Sequence, residues 1–128
     1  MNSSKVVVVI VGVGIDMAEV ARYRFGATAL AWFSRKVYTE HEMSYAMRKR
    51  NWHERLAGFF AAKEATRKAF GHAIPWRSVG VVHERSGRPA IELRDAAERL
   101  MAARGVRSIH LSITHTSATA AAMVILES

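Results

Sequence analysis

The chain has 128 residues, half of them hydrophobic, no cysteine and a formal net charge of +8. Such a length and composition exclude a disordered chain, and residues 1–128 are expected to form a single domain; the missing cysteine excludes disulfides and thiolate chemistry and fits a reducing compartment, the cytoplasm. The positive charge points to an anionic partner: nucleic acid, a membrane surface, an acidic protein or a phosphorylated cofactor. At the N-terminus Lys5 and the valines behind it look briefly like a signal peptide. The apolar run stops at Ile15, no small-residue cleavage site follows, and it is too short to cross a bilayer. It is predicted to be a buried β-strand, rich in β-branched residues.

That strand leads into Gly12-Val13-Gly14-Ile15-Asp16. The glycines let the backbone turn tightly or lie close to a ligand. Asp16, with Glu19 three residues on, has the pattern of a capping box opening a helix. The same stretch reads as a dinucleotide-binding glycine loop, although Met17 stands where the third glycine belongs. A third reading makes Asp16 a metal ligand.

Helices are predicted over Ala27–Arg35 and from Thr39, with Glu42 completing a capping box, to about Lys49. The next helix, Arg55–Phe70, stops at Gly71. Its helical spacing sorts Gly58, Ala62, Ala65 and Ala69 into a stripe that lets another element approach closely. Glu64 and Lys68 flank that stripe, and Lys63 and Arg67 lie beyond them. A solvated Glu–Lys pair accounts for such spacing. So does a site for a phosphate and a divalent metal, with Glu64 on the metal and the cations on phosphate oxygens.

Strands follow at Val79–Glu84 and Pro89–Leu93, joined by a turn at Ser86-Gly87. Asp95 and Glu98 are expected to cap a short helix ending at Gly105. Val106–Thr114 alternates as a half-buried strand, His115 sits in the next turn, and Ala118–Leu126 is a last apolar strand. The whole reads as α+β: helices packed on a mainly antiparallel sheet, which the N-terminal strand joins.

Three separated pieces together resemble one family, the holo-acyl-carrier-protein synthases or small phosphopantetheinyl transferases. They are Gly12-Val13-Gly14-Ile15-Asp16 with Glu19 and Arg22; Phe60-Ala61-Ala62-Lys63-Glu64-Ala65 with Lys68, Ala69 and Gly71; and Ser112-Ile113-Thr114-His115-Thr116. The resemblance spans essentially the whole chain. It implies the 4′-phosphopantetheinyl transferase fold and Mg²⁺-dependent transfer of 4′-phosphopantetheine from coenzyme A to a serine of apo acyl carrier protein. Adenosine 3′,5′-bisphosphate leaves, and the product serves fatty-acid or polyketide synthesis.

Carried over position by position, Asp16 and Glu64 are the metal ligands, and Lys68 completes the catalytic set. Lys63, Lys68, Gly87, Arg88, His115 and Thr116 face coenzyme A, and Arg22 and Arg24 face the carrier protein. The family also implies a homotrimer with active sites between subunits. Phe59 departs from the pattern, which often has a cation there near the nucleotide end of coenzyme A. Arg48, Arg50 or Arg55 is then expected to replace it unless Phe59 is core. A nucleic-acid-binding module lacks any recognisable signature and leaves Asp16 and Glu64 without a role. A dinucleotide-binding module lacks the third glycine and a following βαβ unit. Neither nucleic acid nor membrane is expected as a partner.

Overall fold

A computed structural model describes residues 7–128; Lys5 and Val6, at the start of the apolar run, lie outside them. The strands are β1 (Ile10–Glu19), β2 (Val79–His83), β3 (Pro89–Leu93), β4 (Ser108–His115) and β5 (Thr119–Glu127). The helices are α1 (Ala27–Lys36), α2 (Glu40–Met47), α3 (Trp52–Phe70) and α4 (Asp95–Ala103). β1, β5 and β4 form one antiparallel sheet in that order, and β2 with β3 forms a separate hairpin. The α+β reading holds, with two sheets in place of one.

α3 is the axis of the fold. It packs on β1 and β5 through its small-residue stripe, and alternation along β1 turns Gly12 and Gly14 toward that stripe. A Cβ on Gly14 would overlap the Ala65 carbonyl, and one on Gly12 the Ala69 carbonyl. The glycines therefore serve a close helix–strand contact, and the glycine-loop reading is set aside. Gly71 ends α3 in the left-handed conformation at φ 64°, as its position after Phe70 predicts. Thr39 and Glu42 form the expected capping box at α2.

Some expectations need correction. The N-terminal strand is not buried on both faces: Val13, Ile15 and Met17 are 54, 61 and 69% exposed. They point away from α3, and their apolar side of the sheet is uncovered in the isolated chain. Asp16 does not cap a helix. It lies within β1, opposite Ala122, and only a 3-10 turn, Val20–Tyr23, follows. A strand running straight into that turn satisfies the Asp-x-x-Glu pattern without a helix start. Asp95 is not the cap of α4 either. Arg94 holds that position, and Asp95 sits inside the helix at φ 50°.

Candidate active site

Asp16 follows Gly12 and Gly14 at the same two-residue period, so its carboxylate also lies on the α3 side of the sheet. Glu64, on the flank of the α3 stripe, lines the same cavity, with Arg22, Tyr23 and Phe60 around them. Lys68 Nζ donates to Asp16 Oδ1 at 2.9 Å and to the Ile15 carbonyl at 3.1 Å. Arg67 Nη1 donates to Glu64 Oε1 at 2.8 Å, and the Arg67 guanidinium lies 3.9 Å from the Trp76 ring centroid. Burial, then the nearby charges of Asp16 and Glu64, pushes the Tyr23 hydroxyl up to about 12. Tyr23 thus stays protonated and able to donate beside the two carboxylates.

Asp16, Glu64 and Arg22 therefore share one cavity, with Lys68 paired to Asp16; spacing had joined only Glu64 and Lys68, and the resemblance the rest. Arg67, one of the cations expected around Glu64, turns its guanidinium onto that carboxylate; Tyr23 and Trp76 were missed. The three-residue offset of Arg67 from Glu64 allows that pair on one helix face; nothing in the sequence ties Tyr23 or Trp76 to the carboxylates.

Lys63 does not belong to this site. Its side chain is fully buried, pairs with Glu42 at 2.8 Å, and donates to the carbonyls of Trp76 and Val79. Burial pulls its pKa below the usual lysine value, and Glu42 opposes the shift. Glu42 in turn accepts from the backbone N–H groups of Thr39 and Val81 at 2.8 and 2.7 Å. Helical angle assigned Lys63 to a face but could not tell that α2 and β2 cover it.

A second cavity lies on the other flank of α3. Glu54, Arg55, Tyr45, His83, Gly87 and His115 line it. His115 Nδ1 is 2.9 Å from Glu54 Oε1. Arg55 Nε donates to Asn51 Oδ1 at 3.4 Å. Gly87, at φ 91°, makes the turn between β2 and β3. Arg88 lines a neighbouring cavity beside Ser108 and His110, so the two turn residues part. The Thr116 hydroxyl accepts from the N–H groups of Ala118 and Thr119 at 3.2 and 3.0 Å, which makes it a builder of the β4–β5 turn. Phe59 is buried and packs on Tyr45 and His83, with centroids 5.9 and 5.8 Å apart. It is core, and Arg55, one helical turn earlier, is the cation at this cavity. Arg24 is exposed near Arg22.

Asp16 sits opposite Ala122 of β5, and His115 opposite Ala120 from the other side. The carboxylate cluster and the histidine cavity are thus held on opposite edges of one rigid strand–helix unit.

Comparison with known proteins matches residues 12–122 to the family described as the 4′-phosphopantetheinyl transferase superfamily. The chain is 43% identical over 127 residues to a holo-[acyl-carrier-protein] synthase of Solibacter usitatus (strain Ellin6076), covering 92% of this chain and 98% of that one. It is 39% identical to the enzyme of the same name from Koribacter versatilis (strain Ellin345), with the same coverage. Among solved structures, the holo-(acyl-carrier-protein) synthase of Bacillus anthracis str. Ames in complex with CoA (3′,5′-ADP) aligns with a TM-score of 0.75 and 32% identity, over 93% of this chain and 97% of that one. The Neisseria meningitidis holo-[acyl-carrier-protein] synthase aligns with a TM-score of 0.81 and 27% identity, over 94% of this chain and all of the other.

Proposed function

The chain belongs to the 4′-phosphopantetheinyl transferase superfamily, and from that premise we propose that it transfers 4′-phosphopantetheine from coenzyme A to a serine of an apo acyl carrier protein. The observation that carries this reading is the pairing of Asp16 and Glu64, from different elements, on one cavity beside Lys68. Residues 1–128 act as one transferase domain in the cytoplasm, in fatty-acid or polyketide synthesis. Among the described residues no helix is long and apolar enough to cross a membrane.

The donor set suits Mg²⁺. Among the described residues no group of three or more His, Asp or Glu could hold a metal. A pair of carboxylates is what an ion that keeps several waters and grips substrate phosphates needs. Asp16 and Glu64 would hold it, and it would supply charge neutralisation at the diphosphate. In the transfer itself, the serine Oγ bonds to the phosphorus on the pantetheine side. The bridging P–O bond breaks, and adenosine 3′,5′-bisphosphate leaves. Glu64 accepts the serine proton, its Oε1 steadied by Arg67. Lys68 donates to the leaving phosphate oxygen. His115, Gly87 and Arg55 bind the nucleotide end of coenzyme A.

The site is completed between subunits of a homotrimer. The histidine cavity, about 140 Å³ in one chain, is well below the ~300–1,000 Å³ of ordinary ligand pockets. The uncovered apolar face of β1 supplies a contact surface. With carboxylates on one edge and the histidine cavity on the other, neighbouring chains would bring complementary halves together.

The direct test is mass spectrometry of apo carrier protein incubated with this protein, coenzyme A and Mg²⁺. A gain of about 340 Da on the serine, the mass of the covalently transferred arm, is expected; an unchanged mass with folded protein overturns the reading.

Arg22 is exposed on the rim of the carboxylate cavity and, among the described residues, pairs only with Glu19, at 3.6 Å. Arg22 and Arg24 face the carrier protein, whose recognition helix is acidic. Arg22→Glu is expected to raise KM for the carrier protein about tenfold at low salt, with KM for coenzyme A little changed. The effect should shrink as salt screens it. Equal shifts in both KM values would mark a structural defect instead.

A further inference from the structure

We propose that Glu54 is a positioning residue: its carboxylate fixes the His115 imidazole so that Nε2 is the nitrogen offered to the anionic nucleotide end of coenzyme A. This rests on the reading of the histidine cavity as the nucleotide end. The two residues are 61 apart in sequence, and the fold joins them across the junction of α3 and β4 at 2.9 Å. Their side chains are only 17 and 28% exposed, so the contact is sheltered from competing water. An ionised carboxylate accepts hydrogen bonds and donates none, so Nδ1 must carry the proton. Nε2 has no partner among the described residues. Without Glu54 the ring is free to change tautomer and to turn about its side-chain bonds, and an anion would have to order it on binding.

The other polar groups around this cavity do not take the place of Glu54. Arg55 is turned to Asn51, and His83 is stacked on Tyr45 at 3.8 Å and contacts His41. Burial, with His41 next, pushes the His83 pKa down, so it offers no competing positive charge to orient His115. A purely structural alternative is an acid in the first turn of α3, favourable to the helix dipole. That role would affect stability and leave substrate affinity alone.

The experiment varies coenzyme A and carrier protein separately for Glu54→Ala, Glu54→Asp, Glu54→Gln and His115→Ala, with thermal melting of each. Glu54→Ala is expected to raise KM for coenzyme A about tenfold, as loss of one charge-assisted hydrogen bond implies. kcat and KM for the carrier should stay within about twofold of the parent. Glu54→Asp keeps the charge but loses reach, and should also raise KM. Glu54→Gln, whose amide oxygen still accepts from Nδ1–H, should return KM to within about threefold. His115→Ala should match Glu54→Ala, and combining them should add nothing. Parent-like KM for coenzyme A in Glu54→Ala and Glu54→Asp, with a raised value in His115→Ala, would overturn the positioning role and leave the cavity's reading intact. A parent-like value in His115→Ala would overturn both. If Glu54→Ala fails to fold, Glu54→Asp decides.

Discussion

Asp16→Ala is expected to abolish nearly all transfer, by on the order of 10²–10³-fold in kcat, with the fold retained. Asp16 is in the middle of β1 and its only side-chain partner among the described residues is Lys68, itself half exposed. Losing that pair costs about 1 kcal/mol or less of stability. Because Asp16 caps no helix, a catalytic loss cannot be blamed on a frayed helix start. Glu64→Ala should behave alike, since Glu64 is held by Arg67 at a partly exposed site and its removal leaves the α3 stripe untouched. Steady-state assays with thermal melting check both. Near-normal turnover in folded Asp16→Ala would remove Asp16 from the metal site and the reading with it.

Lys63→Met is expected to do the reverse, destabilising by about 3 kcal/mol while the folded fraction stays active. Lys63 is shut inside with Glu42, and its removal leaves that carboxylate buried with only the N–H groups of Thr39 and Val81. The Trp76 and Val79 carbonyls lose their donor as well. Denaturant unfolding measures the cost, and Lys63→Met with Glu42→Leu should recover much of it, because no charge is then left unpaired. A stable but inactive Lys63→Met would return Lys63 to the coenzyme A site.

These contrasting expectations mark what sequence could and could not disclose. The α3 stripe, the Thr39–Glu42 capping box and the Gly71 stop are set by local chemistry, and they stand where spacing put them. Asp16 and Glu64 were legible through their motifs. The cover over α3 was not: Lys63 and Glu64 are adjacent, and only the tertiary placement of α2 and β2 sends one inward and the other to the cavity. The same limit applies to β1. Its outward residues are as apolar as a core's, so alternation was masked and the strand read as buried on both faces. Glu54 gave no signal, because its partner His115 is distant in sequence and nothing local records the contact.

The register of β1 against β5 bears on how the protein is made. Residues that pair there, such as Asp16 and Ala122, are about a hundred positions apart, so the first strand emerges from the ribosome with its partner still untranslated. At synthesis rates of ~5–20 residues per second, that wait lasts roughly 5–20 s. Until α3 (Trp52–Phe70) is made, a β-branched apolar segment has neither that helix nor its strand neighbour for cover, and for the rest of the wait it still lacks the strand. An unpaired apolar strand is the condition for edge-to-edge association with other nascent chains. Closing so long a loop also makes sheet completion a late and slow event. Yield in cells should therefore depend on chaperone capacity and growth temperature more than the folded protein's stability alone would suggest.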